Sequence, residues 1–118
     1  MHLFFNYDGD FESVANYVFE NLGMECTSQD SLNCLSREYY FSVFLNMKIK
    51  LELNSYDFED EYAYFLYVDK YASSNLNFPD EIDAEILAMI RKVITYIPGI
   101  DFFIEENGVL KILPRNWE

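Results

Sequence analysis

From Phe41 to Asn54 apolar and polar residues alternate. Phe41, Val43, Leu45, Met47, Ile49, Leu51 and Leu53 hold one parity. Ser42, Asn46, Lys48, Lys50, Glu52 and Asn54 hold the other, with Phe44 the one apolar intruder. A period of two means one buried face and one wetted face, the pattern of an antiparallel strand. The run is long, and a bulge or bend near Asn46 would let it serve as two consecutive strands. An acidic turn, Ser55 to Asp60, leads into a second strand at 61–69. That strand is apolar on both parities, with Tyr62, Tyr64, Leu66 and Val68 on one and Ala63, Phe65 and Tyr67 on the other. Such a strand is central, either covered on both sides or leaving an aromatic face open to a partner. Tyr40 to Lys70 therefore reads as a long β-hairpin and the spine of the fold.

Elsewhere the period changes to that of a helix. Asp10 is a good N-cap, because its carboxylate can accept from the free amides of a first turn. Phe11, Val14, Ala15, Val18, Phe19 and Leu22 follow at three- and four-residue steps, and Gly23 suits a left-handed C-terminal cap. The spacing predicts a helix over 10–22. A second helix is predicted over about 80–97, opened by Pro79 and Asp80 and stopped by Pro98-Gly99. Asp80 with Asp83 resembles a capping arrangement, and the acidic group Asp80, Glu81, Asp83 and Glu85 complements the helix dipole on a solvated face. Leu3 to Tyr7 is either a short strand or the lead-in to the first helix. Met24 to Arg37 reads as loop, with room for short extended pieces at its flanks. Asn107-Gly108 marks a closing hairpin between Ile100–Glu106 and Val109–Leu113, because its turn type needs two residues with positive φ. Trp117 is expected to fold back against the core. Hairpins outnumber βαβ units. The expectation is one α+β domain over residues 1–118: a mainly antiparallel sheet of two hairpins with two amphipathic helices packed mostly on one face.

Charge narrows the function classes. Against 8 Lys and Arg stand 21 Asp and Glu, a formal net charge of −13. That field repels phosphates and anionic lipid, which argues against nucleic acid and membrane partners, and it favours a basic protein partner. Solubility alone is the competing explanation. Cys26 and Cys34 fit no zinc spacing and are expected to be reduced thiols of a cytoplasmic protein. The N-terminal stretch lacks the features of a signal peptide, and no apolar run has the length of a membrane span. The single histidine, His2, argues against Ser-His-Asp and Cys-His catalysis and against histidine zinc sites. The glycines form no phosphate loop. The reading is a protein without enzymatic activity, cofactor or metal. A carboxylate-based enzyme would need a concave pocket where acids converge.

The densest acidic cluster is Asp57, Glu59, Asp60 and Glu61. It is either a solvated turn or a protein-binding knob, and it lacks the glycine an EF-hand loop requires. Asp101, Glu105 and Glu106 form a smaller cluster near the closing hairpin.

Leu45–Val68, LNMKIKLELNSYDFEDEYAYFLYV, resembles the immunity proteins of bacterial toxin systems, those of contact-dependent growth inhibition most of all. The likeness lies in the strand, the Asn-Ser-Tyr-Asp turn, the acids and the Tyr-rich strand, about a fifth of the chain. It implies a cytoplasmic protein that binds and neutralises a cognate toxin domain, commonly a nuclease with a basic cleft. The residues favoured for partner binding are Tyr56, Asp57, Glu59, Asp60, Glu61 and Tyr62, where charge and aromatic surface coincide. A small acidic binding or regulatory module without a toxin partner is the alternative.

Overall fold

The computed structural model describes residues 1–118. Nine elements follow in order: β1 (His2–Phe5), α1 (Phe11–Asn21), β2 (Thr27–Asp30), β3 (Glu38–Phe44), β4 (Met47–Leu53), β5 (Tyr64–Lys70), α2 (Asp80–Ile94), β6 (Phe103–Glu106) and β7 (Val109–Ile112). The strands form one seven-stranded sheet in the order β2-β3-β4-β5-β1-β6-β7. Every neighbouring pair is antiparallel. The architecture is α+β, and no helix is long and apolar enough to cross a membrane. The segment Leu3–Tyr7, undecided from the sequence, supplies β1. This strand joins the β2–β5 meander to the β6–β7 hairpin.

The helices form where their caps and stripes predict. The Asp10 carboxylate accepts from the Ser13 amide at 2.8 Å and caps α1, and Gly23 follows the helix at φ +71°. Val14, Ala15, Val18 and Phe19 of α1 join Ile86, Ile90 and Ile94 of α2 in the main core cluster. From the sheet, Leu3, Phe5, Ile49, Leu51, Leu66 and Val68 complete its centre. The last turn predicted for α2 tightens instead, with Tyr96 and Ile97 amides bonding to carbonyls three residues back. Trp117 lies outside the core cluster, half-buried beneath the Arg115 guanidinium at 5.3 Å.

Two expectations are corrected. The alternating run is two strands joined by a two-residue turn at Leu45-Asn46, with Phe44 opposite Met47 and Leu45 at φ +54°. The bend anticipated near Asn46 is thus a full reversal. Because the register pairs Phe41 with Lys50 and Val43 with Lys48, these aromatic and apolar residues share a face with the lysines, not with Ile49 and Leu51. Phe44, the apparent intruder, packs against the core cluster, on the same face of β3 as the cluster member Tyr40.

The second correction concerns Asp83. Pro79 precedes α2 without any side-chain cap. Asp83 is buried rather than solvated. Its carboxylate accepts from the Asn46 amide and pairs with Lys70 at 2.6 Å, tying α2 to the β3–β4 turn and to the end of β5. The Lys70 bond, then the Asn46 bond, hold the Asp83 carboxyl below the usual range. Charge-assisted bonds to the ionised form favour it in this way.

Candidate functional site

The strand positions that alternate with the core cluster make a second sheet face, and the register sets two rows of side chains across it. One row runs Glu52, Phe65, Phe4 and Phe103; the next runs Phe41, Lys50, Tyr67, His2 and Glu105. The β4–β5 connection folds over these rows instead of forming a tight turn. Asn54 organises it. The Asn54 amide donates to the carbonyls of Asp57 and Tyr62, each at 3.0 Å, and its side-chain oxygen accepts from the Tyr56 amide. Asn6 braces the far end, donating to the Glu61 carbonyl and accepting from the Ala63 amide, both at 2.8 Å.

This bracing lays the aromatic rings of the loop against the sheet and leaves its acids exposed. Tyr56 lies against Phe65 with ring centroids 4.6 Å apart, Phe58 meets Phe4 edge-on at 5.5 Å, and Tyr62 covers Phe103 at 4.9 Å. Such offset and edge contacts are the arrangements aromatic quadrupoles prefer. Asp57, Glu59, Asp60 and Glu61 are all exposed. The strand predicted over 61–69 therefore begins only at Tyr64, and residues 61–63 belong to the loop.

Between loop and sheet lies a cleft of about 360 Å³. Its walls include Phe4, Phe65, Tyr56 and Tyr67, and its charged lining is Glu52, Asp57, Glu105 and Lys50. Of the six residues favoured from the sequence, the structure brings Tyr56 and Asp57 into this cleft. Glu59, Asp60 and Glu61 stay on the outer turn, and Tyr62 is half-buried beside Phe103. Glu52 and Lys50 were hidden because an alternating strand assigns polar positions to water. Glu105 was visible only as part of an acidic group.

Glu52 is the unusual residue. It is only 1% exposed, in the middle of the sheet. One oxygen, Oε2, pairs with Lys50 Nζ at 3.1 Å and accepts from the Cys34 thiol at 3.7 Å. The other, Oε1, is buried with no donor in hydrogen-bonding geometry. Burial, then the Glu52 charge, push the Cys34 thiol up, so the thiol stays protonated and remains a donor. The Tyr56 phenol lies toward the same carboxylate. Hydrogen bonding toward Glu52, then burial, push it up to about 12. Lys50 also lies over the Tyr39 ring of β3 at 4.3 Å, which holds its ammonium between that ring and Glu52.

The cleft thus combines aromatic faces, which attract cations, with carboxylates that outnumber the single lysine. No group of three or more His, Cys, Asp or Glu side chains is placed to hold a metal ion. A pocket where acids converge, the feature a carboxylate-based enzyme would need, is present here. A second, smaller cavity of about 100 Å³ is lined only by apolar residues, among them Leu22, Met24, Phe44 and Met89. Comparison with protein-family models, with curated proteins and with solved structures finds no match for this chain.

Proposed function

We propose that the protein is an immunity-type inhibitor that binds a basic protein domain through the second sheet face and the loop over it, and so neutralises a cognate bacterial toxin in the cytoplasm. The reading takes both helices to cover the core-cluster face, which leaves the loop-bearing face for a partner. One observation carries it. On this face the loop turns its aromatics onto the sheet and holds Asp57, Glu59, Asp60 and Glu61 in solvent, above a cleft where carboxylates outnumber the one lysine. A rigid aromatic platform rimmed by charge suits an interface centre better than a solvated turn does. The net charge of −13 adds long-range attraction toward a basic surface such as a nuclease cleft. Binding is favoured over catalysis because Glu52 is partnered by Lys50 and the Cys34 thiol is held protonated.

The test is co-expression with the product of the neighbouring gene, followed by co-purification and association kinetics. Asp57→Lys with Asp60→Lys is expected to slow association roughly ten-fold at low salt, with the difference shrinking as salt screens it. Association rates indifferent to both salt and charge reversal would sink the proposal. Failure of the neighbouring product to bind, with capture of a different cellular protein, would favour a regulatory module without a toxin partner.

A further inference from the structure

Glu52 poses a problem that the fold alone does not solve. A buried acceptor without a donor costs stability, and proteins rarely keep one unless something satisfies it. Here the orphaned oxygen belongs to a carboxylate on the lining of the cleft. Tyr56, 47% exposed on the braced loop, stands over it and over the Phe65 ring. Its phenol lies toward the carboxylate, and Oε1 still has no donor in hydrogen-bonding geometry.

We propose that this cleft is a receptor for one arginine side chain of the partner, whose guanidinium lies against the aromatic wall of Phe65 and Tyr67, displaces the Tyr56 phenol and donates to the free oxygen of Glu52. This rests on the reading of a basic protein partner and names the contact that partner would make. Three features choose arginine. A guanidinium is planar and weakly hydrated, so it stacks on aromatic rings where an ammonium stays hydrated. It carries several donors in a fixed fork, which can serve Glu52 while others reach Asp57 or Glu105 on the rim. An anionic group would add to the negative charge of the lining, and a neutral donor could reach Oε1 but would leave that charge without an offset. Lys50 does not fill the role, since its ammonium is already held between Oε2 and the Tyr39 ring.

The probe is the doubly blocked amino acid N-acetyl-arginine methylamide, titrated into isotope-labelled protein and followed by amide chemical shifts. Saturable shifts are expected at Glu52, Tyr56, Phe65 and Tyr67, with a Kd on the order of millimolar, as suits a single side chain. Blocked lysine should bind several-fold more weakly. Glu52→Gln, which keeps the shape, should weaken the arginine by about ten-fold, and Glu105→Gln on the rim provides a second variant if the buried change unsettles the fold. Shifts that never saturate, that concentrate at Glu59–Glu61, or that survive both variants unchanged would overturn the proposal. The parent reading fails separately. A cognate domain that binds normally while the arginine titration is flat removes the arginine site alone. Arginine binding intact with no basic protein partner removes the immunity reading and leaves the receptor.

Discussion

Removing Lys50 should destabilise the protein because it strands a buried charge. At 3.1 Å the attraction between Lys50 Nζ and Glu52 Oε2 is about 5 kcal/mol with an effective dielectric near 20. Much of that is offset. Lys50 is 27% exposed, so water screens it and its rotamer freedom is lost on pairing. Glu52, at 1% exposure, has no such relief, and breaking a fully buried pair typically costs ~3–5 kcal/mol. Lys50→Met keeps most of the aliphatic volume, and a net loss of ~2 kcal/mol is expected. For a domain of this size that is a fall in Tm of roughly 8 °C. Glu52→Gln alone should cost ~1 kcal/mol, since a free lysine can turn to solvent while a buried carboxylate cannot. Once the lysine is gone, removing the charge should cost nothing more. The double variant is therefore expected to be at least as stable as Lys50→Met, with a coupling energy of ~1–2 kcal/mol. Urea denaturation followed by far-ultraviolet circular dichroism at neutral pH measures all four corners of the cycle. The reasoning fails if Lys50→Met unfolds within ~0.5 kcal/mol of the parent, or if the two losses simply add.

Two further outcomes follow from local chemistry. Tyr56 ionises at about 12 in the folded protein, above its ordinary value of 10.0. Its contribution is therefore fully present below pH 10 and is lost as the pH rises toward 12. Urea midpoints measured across that range should fall less steeply for Tyr56→Phe than for the parent, and an unchanged slope would contradict the Tyr56–Glu52 contact. Gly108 sits at φ +77° with no atom within 4 Å of where a side chain would start, so strain rather than space decides the cost of Gly108→Ala. A loss of ~1 kcal/mol in the same denaturation assay is expected, against none for an unstrained turn.

How much of this was legible depended on whether the determining contacts were local. The α1 helix and the closing hairpin were readable because Asp10, the apolar stripe and Asn107-Gly108 act within a few residues of themselves. Both residues of that turn indeed take positive φ, Asn107 at +55° and Gly108 at +77°. The turn at Leu45-Asn46 was concealed for a physical reason. Neither residue is a glycine or proline, and apolar–polar alternation continues through the reversal while the face it refers to is exchanged. Phe44 was the clue, an apolar residue on the wetted parity because its face had changed. Asp83 and Glu52 were misread for one common cause. The groups that bury them, Asn46 and Lys70 for the first and Cys34 with the covering loop for the second, lie on other elements, and periodicity assigns a charged residue to solvent whatever covers it from a distance. Tyr56 and Asp57 were found from the coincidence of charge and aromatic surface, but the sheet residues beneath them could be placed only once the register was known.

The position of β1 has a consequence for how the chain assembles. Its backbone pairs with residues 64–67 on one side and 103–105 on the other, so both of its neighbours come much later in the sequence. Contacts of such separation require large loops to close before they contribute, and they form late. Until β1 docks, β5 and β6 each present an open edge, and the meander and the closing hairpin are two unjoined pieces. A species of that kind can pair with other chains through those edges, the usual route to aggregation. Leu3 and Phe5 act against it: their burial in the core cluster that also holds residues of both helices gives β1 a hydrophobic reason to insert once the helices are in place. Conditions that slow this insertion, rather than those that weaken the finished fold, are where the protein is most exposed to misassembly.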